Sequence, residues 1–246
     1  MHYKLTIEYD GTNYVGWQKQ RDQPEKSIEE ILEKAIFKMT NVQVKINCAG
    51  RTDAGVHAIA QIVDFELEKE IKSFNLMMGI NSNLRTSDVI VRSCEIVPQN
   101  FHSRFDAKMR HYRYLILNRK APPILQKNRV WHIPVSLDII KMCEAVQHLL
   151  GQHDFSSFRD AECQAKSPIK TIEKITIEKN FDEIALEISA KSFLHHMVRN
   201  IVGTLAWVGS GRIAVEEIKN ILEAKDRKLS GPNAPAQGLY FLGVEY

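Results

Sequence analysis

The sequence predicts an α+β fold of two ferredoxin-like halves, split β-α-β units whose antiparallel sheets join side by side with the helices on one face. Three observations carry this expectation: stretches of polar–apolar alternation, apolar stripes at helical spacing, and the recurrence of the order β-α-β-β-α-β in both halves of the chain.

Residues 3–9 alternate as a half-buried strand does, and the glycines of YDGTNYVGW then break the pattern. Ser27 and Glu30 form an S-x-x-E capping box that starts a helix. Ile28, Ile31, Leu32, Ala35, Ile36 and Met39 follow at helical spacing and set one apolar stripe against a core. Val44, Ile46 and Cys48 alternate with Gln43, Lys45 and Asn47; beyond the tight loop GRTDAG, Val63, Phe65 and Leu67 share a face, so two strands are expected there. A helix over 71–84 and a strand over 89–97 complete the first half. In the second, a strand over 112–117 leads to a helix over 137–150 with Ile139, Cys143, Val146 and Leu150 on its inner face. Strands near 172–177 and 184–188, a helix in SFLHHMVRNIVGTLAWVG and a strand over 239–244 repeat the order, with an extra short helix near 215–224. The halves divide near residues 99–103, as 1–102 and 103–246. No Pro-rich or Gly/Ser-rich linker parts them, so one rigid body is expected.

The chain has 246 residues, 44% hydrophobic and 26% charged, an ordinary globular composition. Its net charge of +3 is too small to announce a nucleic-acid binder by itself, so only the distribution of charge is informative. Cys48, Cys94, Cys143 and Cys163 form no CxxC pair and read as reduced thiols of a cytoplasmic protein. The N-terminus lacks the pattern of a signal peptide, and the apolar-rich stretch 200–211 is too short to span a bilayer.

GRTDAGVHA, residues 50–58, sits between two strands and is framed by glycines that reach backbone angles closed to other residues. It is either a plain hairpin turn or a display for an acid. A turn has no need of Arg51 and Thr52 beside Asp53, and a glycine-framed loop is a common way to expose a nucleophile. From Arg104 to Lys120 there are six Lys or Arg residues and one acid, Asp106, the most basic stretch of the chain. On a strand, Arg110, Tyr112 and Tyr114 project from one face. Cations beside rings suit RNA, whose phosphates pair and whose unstacked bases stack. The same pattern also fits an edge strand with solvated charges and tyrosines half in the core. In the helix SFLHHMVRNIVGTLAWVG, Leu194, Met197, Val198, Ile201, Val202 and Leu205 form a buried stripe, with His195, His196, Arg199 and Gly203 on another face. Adjacent histidines lack the spacing of a zinc-binding HExxH helix, so no metal is expected. Arg199 is either a partner for a carboxylate or phosphate, or a solvated flank residue.

GRTDAGVHA resembles the active-site signature of the TruA family of pseudouridine synthases. YDGTNYVGWQKQ, FHSRF with RHYRY, GQHDFSSF, FLHHMVRNIVGTL and APAQGLY are similar to further family blocks in the family's order, so the resemblance covers nearly the whole chain. It implies Asp53 as the nucleophile, Tyr112 as the ring packed on the target base and a candidate base for proton removal, and Arg199 as the arginine pairing with Asp53. Leu239 is implied as an apolar wall of the uracil pocket, and Arg51 as a residue that flips or holds the target. His57, Arg110, Arg113 and Lys170 join the implied substrate contacts, Lys170 standing where an arginine is common; Ser103 stands where an alanine is common. The implied activity is isomerisation of uridines 38, 39 and 40 in the anticodon stem-loop by a cytoplasmic homodimer, with tRNA as partner and no cofactor. Rival readings are a sister synthase with another target, and a non-catalytic RNA-binding module, whose RNP1 pattern is absent.

Overall fold

The computed structural model describes residues 1–19, 26–161, 163 and 165–246, so Gln20, the last residue of the YDGTNYVGWQKQ block, lies outside the described residues. They form two compact units: Met1–Lys108 with Tyr240–Tyr246, and Met109–Leu239.

In the first unit β1 (His2–Tyr9), α1 (Ile28–Thr40), β2 (Asn47–Cys48), β3 (His57–Glu66), α2 (Ser73–Leu84) and β4 (Val89–Val97) follow in the expected order. β1 lies between β3 and β4, antiparallel to both, and β2 pairs antiparallel with β3. The resulting order β4-β1-β3-β2 is that of a split β-α-β unit, with β3 inserted between β1 and β2. Alternation does the sorting: Tyr3, Leu5 and Ile7 are fully buried with Val63 and Phe65 of β3 and Ile28, Leu32 and Ile36 of α1. Truncating such a side chain to alanine costs about 2–5 kcal/mol. At the start of α1 the Glu30 amide donates to Ser27 Oγ at 3.2 Å, while the Glu30 carboxylate pairs with Lys34, so only half of the capping box forms.

One charge is buried in this unit, and it sets where the unit ends. Asp64 of β3 accepts from His2 Nε2 and Asn47 Nδ2, each at 2.9 Å, and from the Ser103 amide at 2.8 Å. Burial alone would raise its pKa, but hydrogen bonds from Ser103, Asn47 and His2 outweigh it and hold the carboxyl below its ordinary value. Ser103 is thereby tied to the first unit, as is Lys108, whose amide donates to Glu245 O at 2.8 Å. The segment from 103 to 108, expected to open the second half, therefore packs with the first. From Tyr240 onward the last strand, β10 (Leu239–Glu245), runs parallel to β3, with Tyr240 opposite His57 and Phe241 opposite Ala58.

The second unit holds β5 (Met109–Leu117), β6 (Trp131–His132), α3 (Ile139–Gln147), β7 (Gly151–Asp154), β8 (Ile169–Asn180), β9 (Glu183–Ala190), α4 (Met197–Gly209) and α5 (Glu217–Ala224). β5, β9, β8 and β7 form an antiparallel sheet in that order, with β6 parallel to β5. Two helices differ from expectation. α3 is shorter, starting after Asp138, whose side chain caps the Lys141 amide. It buries Met142, Ala145 and Val146, a face rotated from the expected one, with Cys143 half-buried. α4 begins only at Met197 and has no polar face: among its residues only Arg199 and Trp207 escape full burial. Gly203 explains how. A Cβ there would lie 1.8 Å from the Pro232 carbonyl oxygen, so the segment after Gly231 lies directly on the face where solvent was expected. No helix among the described residues is long and apolar enough to cross a membrane.

Candidate active site

Asp53 sits in a loop whose backbone is held from several sides within the first unit. It forms an isolated antiparallel bridge with Gly16, and the Trp17 amide donates to Thr52 O at 2.9 Å. Gly16 has φ +102°, and a Cβ there would lie 2.7 Å from Thr52 O, so this approach requires glycine. The Val56 amide closes the turn onto Asp53 O at 3.2 Å, with Gly55 at φ +77°. Gln61, fully buried, donates to Gly50 O at 2.6 Å. The buried Tyr9 hydroxyl meets Thr52 Oγ1 at 2.8 Å; burial pushes its pKa well up, so it serves as a neutral hydrogen-bonding group. Asp53 is half-buried on this fixed backbone, while Arg51 is exposed. A backbone braced in this way fixes the place of the side chain it carries, which is what preorganisation requires.

His57, an implied substrate contact, is buried inside the unit. Its Nδ1 accepts from the Gly11 amide at 3.1 Å, and its ring stacks on Tyr240 at 4.8 Å. Nδ1 also lies 3.1 Å from Asp10 Oδ1, but a nitrogen that accepts from Gly11 has no proton to give. That Asp10 oxygen accepts instead from the Thr12 amide and hydroxyl, at 3.0 and 2.5 Å. A Cβ on Gly11 would lie 2.0 Å from Val56 O, so YDG and GRTDAGVH are locked together through Gly11 and His57. Cys48, two residues before the loop, has its thiol pushed up to about 12, mainly by burial, and is no nucleophile at neutral pH.

The second unit contributes a different surface. β5 places Tyr112 and Tyr114 on one face, as parity requires, but at different depths. Tyr114 is fully buried, its hydroxyl donating to Pro235 O at 2.6 Å, and a Cβ on Gly238 would lie 2.6 Å from its ring. It is therefore a support for the APAQGLY segment rather than part of an exposed aromatic face. Tyr112 stands at the margin of burial, edge-on to Phe193 at 5.1 Å. Arg110 donates to Lys191 O at 2.5 Å. Arg113 lies opposite Glu187 in the ladder and gives it both Nε and a terminal nitrogen, at 2.9 and 2.6 Å, so its charge is largely matched. Lys170, near the start of β8, donates to Ser167 O at 3.0 Å.

Arg199, half-buried on α4, donates through Nε to Ala234 O at 2.7 Å, and the Ala234 amide returns a bond to Arg199 O at 3.2 Å. The segment that ends in Leu239 is thus fastened both to α4 and to Tyr114, and Leu239 is buried. Ahead of α4, His196 adopts a left-handed φ of +59°, a conformation that costs a non-glycine residue roughly 1–2 kcal/mol. Asp160 holds it there: its Oδ2 lies 2.5 Å from His196 Nδ1, and its amide donates to His195 O at 3.3 Å. The two imidazoles stack at 3.9 Å. Sequence reasoning missed Tyr9, Gln61 and Asp160. Each looks like an ordinary strand or loop residue, and its partner is distant in the chain.

A family model described as tRNA pseudouridine synthase matches residues 5–106 and 145–246. The chain is 44% identical over 284 aligned residues to tRNA pseudouridine synthase A of Orientia tsutsugamushi (strain Ikeda), covering 100% of both. It is 47% identical over 244 residues to tRNA pseudouridine synthase A of Methylobacterium nodulans, covering 99% of this chain and 95% of that one. Among solved structures, a Cbf5-Nop10-Gar1 complex is similar over 97% of this chain and 47% of that chain, at 10% identity and a TM-score of 0.37, too slight a likeness to argue from.

Proposed function

Since the chain belongs to the tRNA pseudouridine synthase family and is an isomerase, we propose that it converts uridines 38, 39 and 40 of the anticodon stem-loop to pseudouridine with Asp53 as nucleophile. The observation that carries this reading is the Asp53 loop, an acid on a backbone braced by Gly16, Trp17, Gln61 and Tyr9 through Thr52. In the reaction the bond from the ribose to ring nitrogen 1 breaks and a bond to ring carbon 5 forms. Carbon 5 loses a proton and nitrogen 1 gains one. Nothing is oxidised or reduced, so the chemistry asks for no cofactor.

The base must leave its stack to be reached, and stacking on Tyr112 offsets part of that cost, about 1–3 kcal/mol for a base on an aromatic ring. Arg199 is assigned, on the family resemblance, the task of keeping Asp53 ionised, and Leu239 that of an apolar wall for the uracil. Arg51, exposed two residues before Asp53, is assigned on the family resemblance the task of holding or flipping the target. Arg110 and Lys170 are assigned to phosphates; Arg113 is a weaker candidate because Glu187 already engages it. Attack by Asp53 at ring carbon 6 or at the ribose balances equally well. Tyr112 is the proposed base for proton removal; a Tyr112→Phe variant that completes a single turnover at the wild-type rate ends that role.

The test is to incubate unmodified tRNA with wild type and Asp53→Asn and to map pseudouridine by chemical adduct and primer extension. Wild type should modify 38, 39 and 40, and Asp53→Asn none. Product from the Asn variant refutes the nucleophile; product outside the anticodon arm refutes the positions and leaves the chemistry standing. The homodimer is tested by sedimentation.

A further inference from the structure

From the far end of the second unit's sheet we infer that the turn between β8 and β9 and the loop after β5 form a second RNA-binding surface, which takes an unpaired nucleotide of the tRNA away from the isomerised base. The inference rests on the tRNA reading above and extends it to a place that reading does not use.

Phe181 sits at the tip of the β8–β9 turn, 92% exposed, with φ +51°. Both features work against folding. A left-handed φ favours glycine or asparagine, and an exposed phenyl ring gains no burial. Glycine would suit the turn better, so folding gives no reason for phenylalanine there. Beside it lie Ile124 and Leu125, 81% and 91% exposed, in a loop stiffened by Pro122 and Pro123. Loop and turn are tied together: the Asn118 amide donates to Asp182 O at 2.7 Å, Gln126 Nε2 donates to Glu183 Oε2 at 2.7 Å, and Arg119 lies 3.5 Å from Asp182. The Phe181 ring and the two aliphatic side chains are thus carried by one pair of tied loops.

Its charge selects the partner. Residues 119–129 and 180–183 carry Arg119, Lys120, Lys127 and Arg129, all exposed, against Asp182 and Glu183. Four cations against two acids give this surface a net charge of +2, in a chain whose total is +3. A second copy meeting this surface across a two-fold axis would bring the same cations face to face, which is repulsive. A polyanion with exposed bases meets both requirements: lysines for phosphates, Phe181 for a base. Leu117, where β5 ends, is five residues from Tyr112, about 17 Å along the strand. At about 3.4 Å per stacked nucleotide that is at least about five nucleotides from the target base.

The test uses the full chain, unmodified whole tRNA, and the isolated anticodon stem-loop. Phe181→Gly relieves the strained turn, so it should fold at least as well as wild type, and lost affinity cannot be ascribed to unfolding. It should raise KM and Kd for whole tRNA about tenfold, leave kcat unchanged, and leave stem-loop binding unchanged. Lys120→Gln with Lys127→Gln should lower the slope of log Kd against log salt by about 1.5–2 on whole tRNA. Unchanged whole-tRNA affinity of Phe181→Gly, or an equal loss on both RNAs, overturns the inference. So does a drop in sedimentation mass for Leu125→Glu, which would assign the surface to a second copy. If wild type makes no pseudouridine, the proposed function fails, while the two Kd comparisons still decide this one.

Discussion

Replacing Gly203 by alanine tests whether the close approach of α4 and the segment after Gly231 positions the residues assigned to the uracil. The added Cβ would stand 1.8 Å from Pro232 O, and an ordinary contact begins near 3.4 Å, so the carbonyl has to retreat by about 1.6 Å. Backbone from Gly231 to Ala234 moves with it. That strains the Gly231 amide bond to Thr204 Oγ1 (2.8 Å) and both bonds between Ala234 and Arg199. Overpacking of this kind costs about 1–3 kcal/mol, and each weakened hydrogen bond about 1 kcal/mol more. The functional effect should be larger than the loss of stability implies. A displacement of about 1 Å at a positioning group costs on the order of 100-fold in rate, and here both Arg199 and the stretch leading to Leu239 are displaced. Gly209→Ala is the control on the same helix. Its Cβ would meet the Met142 sulfur at 2.7 Å, the flexible end of a side chain that yields cheaply. The assay is kcat for pseudouridine formation on unmodified tRNA, at a temperature where circular dichroism shows both variants folded. Gly203→Ala should fall about 100-fold and Gly209→Ala less than about threefold. A Gly203→Ala enzyme as active as the control would refute the argument that this contact positions the site.

Asp64→Asn should destabilise the protein at pH 7 by on the order of 3 kcal/mol, because it leaves buried donors facing an amide. Since the folded pKa of Asp64 is lowered, its contribution is complete above the ordinary carboxylate value and is lost as pH falls through the folded value. Urea melts of both proteins should therefore converge in acid, and a gap that stays constant to pH 2 would contradict the assignment. Ser103→Ala should raise Tm by about 2–4 °C, because the Ser103 hydroxyl is buried without a hydrogen-bond partner while its amide serves Asp64. If Tm falls and the acid transition moves up instead, the hydroxyl does bond Asp64. Cys48, with its thiol pushed up to about 12, should react with maleimide at pH 8 on the order of 1,000-fold more slowly than a free cysteine, read by mass spectrometry of the labelled peptide. Labelling as fast as the free thiol would show the site to be open.

The parts of the fold legible in the sequence are those where one face is wet. β1 alternates because one side meets the core, and α1 shows its stripe because Glu29, Lys34 and Lys38 point away from it. α4 was not legible in the same way. Its expected polar face is covered by the segment after Gly231, and a helix buried all round loses the contrast that periodicity reads. Its half-buried cation, Arg199, therefore read either as a partner for a carboxylate or phosphate or as a solvated flank residue. The pairing of Arg113 was hidden for a related reason: its partner Glu187 lies 74 residues away in the chain, and only the β5–β9 register brings them opposite.

The same reasoning bears on Asp53. Asp53 shows in the sequence as a displayed acid, but its supports do not. Tyr9 reads as a strand residue, Gln61 as the polar member of an alternating run, Gly11 as a turn and His57 as a substrate contact. Each gains its role by touching the loop from another segment: Tyr9 through Thr52, Gln61 through Gly50, Gly11 and His57 through Val56. Long-range contacts from Tyr9, Gln61, Gly11 and His57 thus fix the backbone of the loop that carries Asp53. A carboxylate held by its own hydrogen bonds, as Asp64 is, has its lone pairs committed and its pKa depressed. Asp64 lies 11 residues beyond Asp53 in the same unit, and its committed oxygens tie Ser103, Asn47 and His2 together as a structural anchor.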